Sequence, residues 1–464
     1  MTAAHTGRDI QADLVVVGGG VGCLVAAISA ADAGRSVTLL LPERGIGAGF
    51  ATMARNGFHL DMGCRRLDLT HEGEAPLETY RPGMGSRPFA PHIRRFLEDR
   101  IGLEITSTAS PKMIYAGVLA DDFTASLDLT PLPRMLGTED AAAVERETAA
   151  LLSATPPSAL TLGLGSPPDL AAGTLEEASL ANHGLTLHTR MIAPFAAKLY
   201  PDKWRSTPAD LAAKIWTTLL YPRTVNAGCR GEIERGRGAV TYFYPASGYF
   251  GELIEKLLAA AEATPGLTIS RIPDLTNLSR DGARTTAELA DGASRHWACP
   301  FIIGSSVEAW CALAGVKTQI EKLPLAIIWL EVNDDDLLVE PGLLHVFEPT
   351  TSAYRVSFGG TGARPGHQIV TVEMTGNSPE CTAAKATDSL TRLGVLRPGA
   401  IVTEIACQPA LSIVAPSASN RDALRTAHAR LAAQGITPRL IGTLNDLKAD
   451  TLNDHILQGL TAHL

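Results

Sequence analysis

The sequence lacks the features of a disulfide-rich, metal-binding or membrane-spanning protein. Its seven cysteines are scattered, never form a CxxC pair and never cluster with histidine, which argues against a zinc site and fits a reducing compartment. No uncharged apolar run reaches the roughly 18 residues of a membrane span. Residues 1–13 also lack the apolar core of an export signal. We therefore expect a cytoplasmic protein with no integral membrane segment.

The charge and aromatic content indicate no nucleic-acid partner. Forty Lys and Arg residues stand against 49 Asp and Glu residues, and the net charge of −9 is spread along 464 residues. Aromatic residues make up only 5% of the chain, and no aromatic cage for an amine is recognisable. The GxSxG and HExxH motifs of hydrolases are absent. We expect a small-molecule substrate; the oligomeric state, with a homodimer as one option, stays open.

One local pattern predicts a nucleotide-binding unit. An apolar run at 13–17 ends in a glycine-rich loop, an Ala-rich segment follows at 24–33, and a second apolar run lies at 36–41. A strand, a loop, a helix and a second strand in this order predict a right-handed βαβ unit with two parallel strands.

The loop between the first strand and the helix has the spacing of a dinucleotide fingerprint. The first glycine of such a loop permits the tight turn, the second lets the backbone approach a pyrophosphate, and a third small residue lets the helix pack closely. The helix N-terminus attracts phosphate through its free N–H groups. Here the third small residue is a cysteine, with a glycine one place early. The predicted cofactor-binding residues are Gly18, Gly20, Val21, Gly22 and Cys23.

The residue that should bind the ribose departs from the usual pattern. An acid normally ends the second strand, about twenty residues beyond the glycines, but Leu41 occupies that place. Glu43 either reaches the ribose from two residues further on or is simply solvated. Arg44 either contacts the adenosine phosphate or is a surface charge.

Residues 45–68, GIGAGFATMARNGFHLDMGCRRLD, resemble the stretch after the ribose acid in one superfamily. Its members are the FAD-dependent amine oxidases, protoporphyrinogen oxidases and UDP-galactopyranose mutases. The shared pattern is a pair of small residues, a hairpin, and then Gly-aromatic-x-x-Asp-x-Gly; the matching residues are Gly47, Ala48, Gly57, Phe58, Asp61 and Gly63. The resemblance implies that the cofactor is FAD. It also implies an α/β fold, in which a Rossmann-like FAD-binding domain carries an inserted mixed α+β substrate domain.

Weaker resemblances follow in the family's order along the chain, at 174–184, 194–200 and 244–257. The strand at 267–275 resembles the one that passes the adenine, which implies a backbone contact at Ile272. Residues 442–460 resemble the closing FAD motif, in which Gly442 ends a strand and a helix beginning at Asn453 and Asp454 points at the flavin. Thr443 stands where the family has arginine, and the helix start is equally explained by ordinary capping.

The remaining pattern predicts a second, mostly antiparallel sheet and several helices. Helical patterns lie at 139–154, 174–220 and 249–263, and 155–173 reads as an irregular connection. Strand patterns lie at 267–272, 285–289, 297–303, 323–332, 343–347, 354–358 and 369–374. The resulting division assigns 1–75, 230–310 and 405–464 to a discontinuous FAD-binding domain, and 76–229 and 311–404 to a substrate domain.

Three basic residues are candidates for a role beside the flavin. Arg65 follows the Asp-x-Gly pattern where mutases carry a histidine, so it either binds an anionic substrate or forms a structural salt bridge. Lys198 matches a position that borders the substrate cavity in the family, although a Lys side chain at a domain join is more often structural than functional. Arg355 resembles the arginine of the family's aromatic-Arg pair, which implies that it faces the cavity.

In flavoenzymes the cofactor accepts the hydride, so no catalytic side chain is required. The resemblance therefore implies an FAD-dependent oxidoreductase that removes hydride from an amine-like substrate or a biosynthetic intermediate, with dioxygen reoxidising the flavin. One alternative is a non-redox flavoenzyme resembling the sugar-nucleotide mutases. The other is a scaffold protein with a degenerate nucleotide site. This alternative would explain why Cys23, Leu41 and Thr443 depart from the expected pattern.

Overall fold

The computed structural model describes residues 7–154, 173–233, 240–376, 381–409, 413–448 and 451–464. Its strands are β1 (Gly7–Asp9), β2 (Leu14–Val17), β3 (Val37–Pro42), β4 (Thr52–Arg55), β5 (Phe58–Asp61), β6 (Leu67–Asp68), β7 (Ile105–Thr108), β8 (Lys112–Tyr115), β9 (Val118–Asp121), β10 (Tyr242–Pro245), β11 (Leu267–Ile272), β12 (Leu275–Asp281), β13 (Arg284–Leu289), β14 (Ser294–Trp297), β15 (Phe301–Ile303), β16 (Leu325–Asn333), β17 (Leu343–Val346), β18 (Ala353–Phe358), β19 (His367–Thr375), β20 (Val402–Pro409) and β21 (Arg439–Leu440). Its α-helices are α1 (Val21–Asp32), α2 (Ala90–Arg95), α3 (Phe123–Ser126), α4 (Leu132–Leu136), α5 (Thr138–Ala154), α6 (Leu175–Leu187), α7 (Ala193–Leu199), α8 (Pro222–Cys229), α9 (Gly251–Ala263), α10 (Val307–Leu313), α11 (Ala383–Arg392), α12 (Ala418–Ala433) and α13 (Leu452–Thr461).

Five parallel strands form the sheet that carries the glycine loop, in the order β11-β3-β2-β15-β21. The predicted βαβ unit is confirmed, because β2 and β3 pair in parallel and α1 connects them. Residues 21–31 of α1 are all buried, since the helix packs against the sheet, α9 and α13. Its many alanines allow these layers to approach closely.

The predicted single strand at 297–303 is wrong. The chain leaves one sheet and enters another within this segment: β14 ends at Trp297 in an antiparallel meander with β13 and β12, and β15 begins at Phe301 in the parallel sheet. Pro300 lies between them and has no N–H to donate to a ladder, while its carbonyl accepts from Val15.

The predicted second sheet is confirmed as mostly antiparallel. Its seven strands have the order β20-β16-β19-β18-β17-β8-β9, with one parallel pair, β17 and β8. The four predicted strand patterns from 323 to 374 correspond to β16, β17, β18 and β19. The pattern did not reveal β8 and β9, which precede the other strands of this sheet by about 200 residues, nor β20, which follows β19 and α11.

The sheets and cores do not follow the predicted domain boundaries in two places. The boundary between residues 404 and 405 falls inside β20. Phe89 and Ile93, assigned to the substrate part, belong to the hydrophobic core that includes α1. The division into two domains, one inserted in the other, remains a prediction.

The predicted helix at 139–154 is confirmed as α5, and α6 and α7 lie in the predicted helical region that follows. The predicted irregular connection at 155–173 lies, apart from Gly173, outside the described residues. Among the described residues, no helix is both long enough and apolar enough to cross a membrane.

A buried histidine pair stabilises the helical region in its neutral form. The N–H of Leu220 donates to Nε2 of His183 (2.9 Å), so the proton lies on Nδ1 and is donated to Oγ of Ser179 (3.1 Å). The Ser179 hydroxyl can then donate to Nδ1 of His188 (3.0 Å). Burial, reinforced by the nearby His188, lowers the pKa of His183 to about 3.

This histidine predicts a loss of stability in mild acid. Below its ordinary pKa of 6.5 the unfolded chain binds a proton at His183 that the folded protein does not bind until about pH 3. Stability therefore falls as the pH decreases through this window, by about 2 kcal/mol at pH 5. Urea unfolding at pH 7.5 and 5 measures the loss. His183→Gln keeps an acceptor for Leu220 but cannot titrate. If stability falls with pH as much in this variant as in the wild type, His183 is not the cause of the loss.

Candidate cofactor and substrate site

The glycine loop lies at the carboxyl end of β2 and leads directly into α1. Gly18 has a φ of 133°, which side-chain-bearing residues rarely adopt. Gly20 is the N-cap, with a φ of −74° and a ψ of 161°, and a Cβ built there would meet no atom within 4 Å. The N–H groups of Gly20, Val21 and Gly22 donate to no residue in the described part of the chain. The loop therefore presents free donors and open space at the positive end of a helix.

Cys23 occupies the space that the motif's third glycine would leave empty. Its side chain is 1% exposed, and its Sγ lies 3.5 Å from the carbonyl of Val17. The sulfur also lies against Gly18 and Gly304. Burial raises the pKa of Cys23 to about 12, so it packs as a neutral thiol. The glycine at 304 accommodates the cysteine, a compensation that sequence analysis missed because the two positions are 281 residues apart.

Replacing Gly304 with alanine is expected to destabilise the protein by about 1–3 kcal/mol, through overpacking. The new Cβ would lie 2.6 Å from the Cys23 sulfur, whereas its next contact, Cβ of Ile441, would be 3.6 Å away. Cys23→Ala removes the sulfur, so the double variant should recover most of the loss. Urea unfolding of the four proteins measures this coupling. If Gly304→Ala lowers the free energy of unfolding equally in the wild type and in Cys23→Ala, the proposed contact with the sulfur is contradicted.

The place expected for a ribose-binding acid is apolar and closed. Leu41 is fully buried, and its Cδ1 would lie 3.4 Å from a Cβ on Gly19. Glu43 follows β3, and its N–H donates to the carbonyl of Ile272 (3.0 Å), which brings these two predicted residues together. The side chains of Glu43 and Arg44 are both exposed.

The predicted small pair, Gly47 and Ala48, belongs to a segment that folds back onto the glycine loop. The N–H of Gly47, at a φ of 81°, donates to the carbonyl of Gly19 (2.8 Å). Two residues beyond the pair, the Phe50 ring meets the His455 ring of α13 edge to face, with centroids 5.2 Å apart. This segment therefore connects the glycine loop to the beginning of α13.

The last helix, α13, runs parallel to α1 and in close contact with it. Gly22 lies against the carbonyl of His455, and Val25 lies against Gly459, so the contacts advance in the same direction along both helices. A Cβ on Gly459 would be 2.7 Å from the carbonyl oxygen of Gly22, and Gly442 packs against the His455 imidazole. Both helix N-termini therefore lie on the same side, where their positive dipole ends act together.

The N-cap of α13 is Thr451, so the prediction that the helix begins at Asn453 and Asp454 is wrong by two residues. The Thr451 hydroxyl accepts from the Asp454 N–H (3.1 Å), and the Asp454 carboxylate accepts from Tyr80 (3.0 Å). Asn453 donates its amide to the carbonyl of Asp68 (2.6 Å). These side chains are engaged within the protein, which leaves backbone N–H groups as the donors that α13 offers.

Asp61, the acid of the family-like pattern, joins several segments. Its carboxylate accepts from the Thr52 hydroxyl (2.7 Å), the Phe250 N–H (2.9 Å) and the Tyr244 hydroxyl. Its carbonyl accepts from Nε1 of Trp329 (2.9 Å). Asp61 is therefore a structural link between the β4–β5 hairpin and the seven-stranded sheet, and burial beside this carboxylate raises the pKa of Tyr244.

A buried ion pair faces the segment that follows Asp61. Glu373, 2% exposed, accepts from Nε and Nη2 of Arg355 (3.0 and 2.6 Å), from the Tyr354 hydroxyl (2.6 Å) and from the Cys64 N–H. Burial alone would raise the pKa of Glu373, but the charge and hydrogen bonds of Arg355 lower it. Gly63, at a φ of 83°, lies directly against this carboxylate. Sequence analysis missed Glu373, whose signal is a lone acid in the apolar run IVTVEM.

A bulge in β18 brings two of these partners to one face of the sheet. The register shifts between Ala353 and Arg355, so Tyr354 and Arg355 both reach Glu373. Trp216 covers them: its ring stacks on Tyr354 at 5.1 Å, and the Arg355 guanidinium lies 4.6 Å from its centroid. The charge of Arg355 is thus already paired within the protein.

Arg65 differs from Arg355 because it has no carboxylate partner among the described residues. Its Nε donates to the carbonyl of Gly49 and its Nη1 to that of Cys64, both at 3.0 Å, and its guanidinium lies 5.2 Å from the Phe50 centroid. Burial lowers its pKa, and the nearby charge of Glu373 opposes this shift. The predicted alternative, a structural salt bridge, is not formed within the described chain.

Lys198 is fully engaged in the structure. Its ammonium donates to the carbonyls of Val346 (3.0 Å), Glu348 (2.6 Å) and Ala353 (3.0 Å), which ties α7 to the segment between β17 and β18. Burial lowers the pKa of Lys198 to about 7, with the charge of Glu348 opposing the shift. These contacts favour the packing role over the catalytic one.

Comparisons with solved structures reveal the fold. A reduced UDP-galactopyranose mutase matches with a TM-score of 0.70 at 13% identity, over 98% of this chain and 93% of that chain. A putative protoporphyrinogen oxidase from Exiguobacterium sp. 255-15 matches with a TM-score of 0.58 at 18% identity, over 97% of each chain. A putrescine oxidase redesigned in its cofactor binding matches with a TM-score of 0.55 at 14% identity, over 98% of each chain. No protein-family model and no curated protein sequence matches the chain. The mixed α/β fold of this protein is therefore the fold of the mutase, protoporphyrinogen oxidase and putrescine oxidase structures, as the sequence resemblance predicted.

Proposed function

We propose that this protein binds FAD through the glycine loop and the start of α13. The observation that carries the proposal is the parallel packing of α1 and α13, which sets two helix N-termini side by side next to the open face of Gly20. Helix N-termini stabilise phosphates and other electron-rich oxygens without basic side chains. The shared fold with a putrescine oxidase studied for its cofactor binding supports this ligand.

The residues present fit the extended shape of FAD. The pyrophosphate would approach the glycine loop at Gly20, and the adenosine would pass the end of β3. There Glu43 is the first acid after the buried Leu41 along the chain, so we assign the ribose contact to its exposed carboxylate and an adenine contact to the backbone of Ile272. The first N–H groups of α13, at Leu452 and Asn453, would face the flavin end.

FAD in this position would supply a hydride acceptor. The protein contributes orientation, exclusion of water and charge. Arg65, which has no carboxylate hydrogen-bond partner among the described residues, would hold an anionic group of the substrate beside the cofactor. We therefore propose an FAD-dependent oxidoreductase that acts on a small molecule and uses dioxygen as its electron acceptor.

A second candidate is a non-redox flavoenzyme that acts on a sugar nucleotide. The TM-score of 0.70 with a reduced mutase favours it. Such an enzyme needs several guanidinium groups around the substrate diphosphate. Arg65 and Arg66 have no carboxylate partner among the described residues, but Arg355 is held by Glu373, which argues for the oxidoreductase.

Anaerobic mixing of the FAD-loaded protein with candidate substrates distinguishes the two. For the oxidoreductase we expect an amine or a related donor to bleach the visible flavin absorbance, and air to restore it. For the second candidate, a UDP-sugar would be isomerised only by chemically reduced protein, without net bleaching. FAD-loaded protein that reacts in neither way with a broad set of donors and UDP-sugars would overturn both activities and favour the scaffold.

A further inference from the structure

A histidine–carboxylate pair joins β17 to the beginning of α3. Nδ1 of His345, on β17, donates to Oδ2 of Asp122 (2.6 Å). The other carboxylate oxygen of Asp122 accepts from the N–H (2.9 Å) and the hydroxyl (2.6 Å) of Thr124, and so caps α3. Burial alone would raise the pKa of Asp122, but the interaction with His345 and these hydrogen bonds lower it. The ionised carboxylate therefore fixes both the orientation of the imidazole and the position of its proton.

The second ring nitrogen of His345, Nε2, has no partner. With the proton on Nδ1, Nε2 carries the lone pair of the neutral imidazole. It makes no hydrogen bond with any residue in the described part of the chain. Nε2 is also not among the fully buried atoms that lack a partner, and 13% of the side chain is exposed. An imidazole that a buried carboxylate orients, with its lone pair accessible, is suited to act as a general base.

His345 projects from the face of the seven-stranded sheet that carries the buried ion pair. It lies directly opposite Arg355 in the β17–β18 ladder, and Arg355 lies opposite Glu373 in the β18–β19 ladder. Residues directly opposite one another project to the same face, with Cβ atoms about 5 Å apart. The N–H of Cys64 donates to the Glu373 carboxylate on this face. Arg65, the next residue, therefore lies on the side of the sheet to which His345 projects.

A second set of contacts connects His345 to the other end of the same segment, residues 64–68. Nε of Arg87 donates to the Asp68 carboxylate (2.9 Å), and its Nη2 donates to the carbonyl of Ala125 in α3 (2.7 Å). Asp122, which holds His345, is the N-cap of that helix. The segment is thus connected to His345 through the ion pair at one end and through α3 at the other, which positions the imidazole relative to the residues beside the proposed flavin site.

We propose that His345 is a catalytic base that accepts the proton of a substrate hydroxyl, and that the substrate is an alcohol carrying an anionic group. The inference rests on the proposed FAD-dependent oxidation and names its substrate class. A neutral amine can lose hydride without first losing a proton, whereas an alcohol must lose its O–H proton to become a carbonyl compound. Arg65 would hold the anionic group, and Nε2 of His345 would accept the proton.

The step balances in atoms and electrons. The O–H bond breaks, its proton goes to Nε2 of His345, and its electron pair forms the second bond between carbon and oxygen. The neighbouring C–H bond breaks, and its hydrogen leaves with both electrons as hydride. The alcohol is oxidised by two electrons, and FAD is the acceptor that is reduced. Asp122 receives no proton; it is a positioning residue that stabilises the imidazolium.

Anaerobic stopped-flow bleaching of the FAD-loaded protein tests the proposal with matched donors, lactate against alanine and malate against aspartate. We expect the hydroxy acids to bleach the flavin. His345→Gln keeps a donor for Asp122 but has no basic lone pair, so the rate constant at saturating hydroxy acid should fall about 100-fold or more. The half-saturating concentration should change little, because Arg65 is intact.

Two further variants complete this experiment. Asp122→Asn can still cap α3 and accept from Nδ1, but it removes the charge that stabilises the imidazolium, so the same rate constant should fall about tenfold or more. His367→Gln is the matched control: this histidine begins β19 of the same sheet, and its ring bonds the carbonyl of Pro365 (3.2 Å). It should be bleached as the wild type is. If circular dichroism shows that His345→Gln is misfolded, Asp122→Asn decides.

Diethyl pyrocarbonate, which acylates accessible neutral imidazoles, tests the free lone pair without any turnover. Peptide mass spectrometry should locate the modification at His345 and show that lactate protects it. His183 is the internal control and should stay unmodified, because it is fully buried and both of its ring nitrogens are hydrogen-bonded. An unmodified His345 would overturn the proposal.

The remaining outcomes separate this inference from the proposed function. Bleaching by the amino acids but not by the hydroxy acids would overturn the inference and leave the oxidoreductase standing. So would an unchanged rate constant in a folded His345→Gln variant. If no alcohol and no amine bleaches the flavin, the proposed oxidoreductase is itself overturned, and the role of His345 with it.

Discussion

Gly20→Ala is expected to weaken FAD binding by about 100-fold, or about 2.7 kcal/mol, without changing the free energy of unfolding. The backbone at Gly20 has a φ of −74° and a ψ of 161°, which alanine adopts without strain, and the new methyl group would meet no protein atom within 4 Å. That open space is where the pyrophosphate must approach the helix N-terminus. Fluorescence titration with FAD, alongside urea unfolding of the unloaded protein, measures both effects.

Gly85 offers a matched control, because an added Cβ there also meets nothing within 4 Å and its φ is not positive. Gly85→Ala should leave both FAD affinity and stability unchanged. Equal FAD affinity in wild type and Gly20→Ala would show that the pyrophosphate does not contact this loop.

Glu373→Gln is expected to lower the free energy of unfolding by about 3–5 kcal/mol, because it leaves the Arg355 guanidinium buried without its counter-charge. Arg355 is 8% exposed and Glu373 is 2% exposed, so water cannot replace the lost partner. The carboxylate also holds Tyr354 and the Cys64 N–H. Urea unfolding measures the loss.

Glu331→Gln is the matched control: its carboxylate is also buried on the seven-stranded sheet, but its partner Arg364 has a 62% exposed side chain. Glu331→Gln should lower the free energy of unfolding by about 1 kcal/mol, since water can solvate the exposed Arg364 guanidinium. Because the pKa of Glu373 is lowered, its contribution is present above its ordinary 4.5 and is lost as the pH falls further. Similar losses in the two variants would contradict the role assigned to the buried pair.

The parts of the fold that could be predicted from the sequence are those that neighbouring residues specify. The βαβ unit follows from an apolar run, a glycine loop and an alanine-rich helix within about thirty residues, so neighbouring residues suffice. The strand pattern at 297–303 misled because both halves are apolar, although Pro300 separates two sheets. β8 joins the larger sheet by pairing with β17, more than 200 residues later, and β9 follows through its hairpin with β8; β20 pairs with β16 across the intervening strands β17 to β19, and no local pattern encodes these partners.

The candidate site also contains residues that could be predicted from the sequence and residues that depend on tertiary contacts. The glycine loop could be predicted from its spacing between a strand and a helix, and the pair at Gly47 from the family resemblance; Gly18 and Gly47 both have a positive φ. Glu373 could not, because its partners come from β18 and from the segment after β5. The engagement of Lys198 by three carbonyls is likewise a tertiary property that its sequence context does not show.

The FAD content of the purified protein tests the central claim most directly. After incubation with FAD and removal of the excess, acid release should yield close to one FAD per chain, and the intact protein should show a flavin spectrum. A colourless protein that releases no flavin after this treatment would contradict the account.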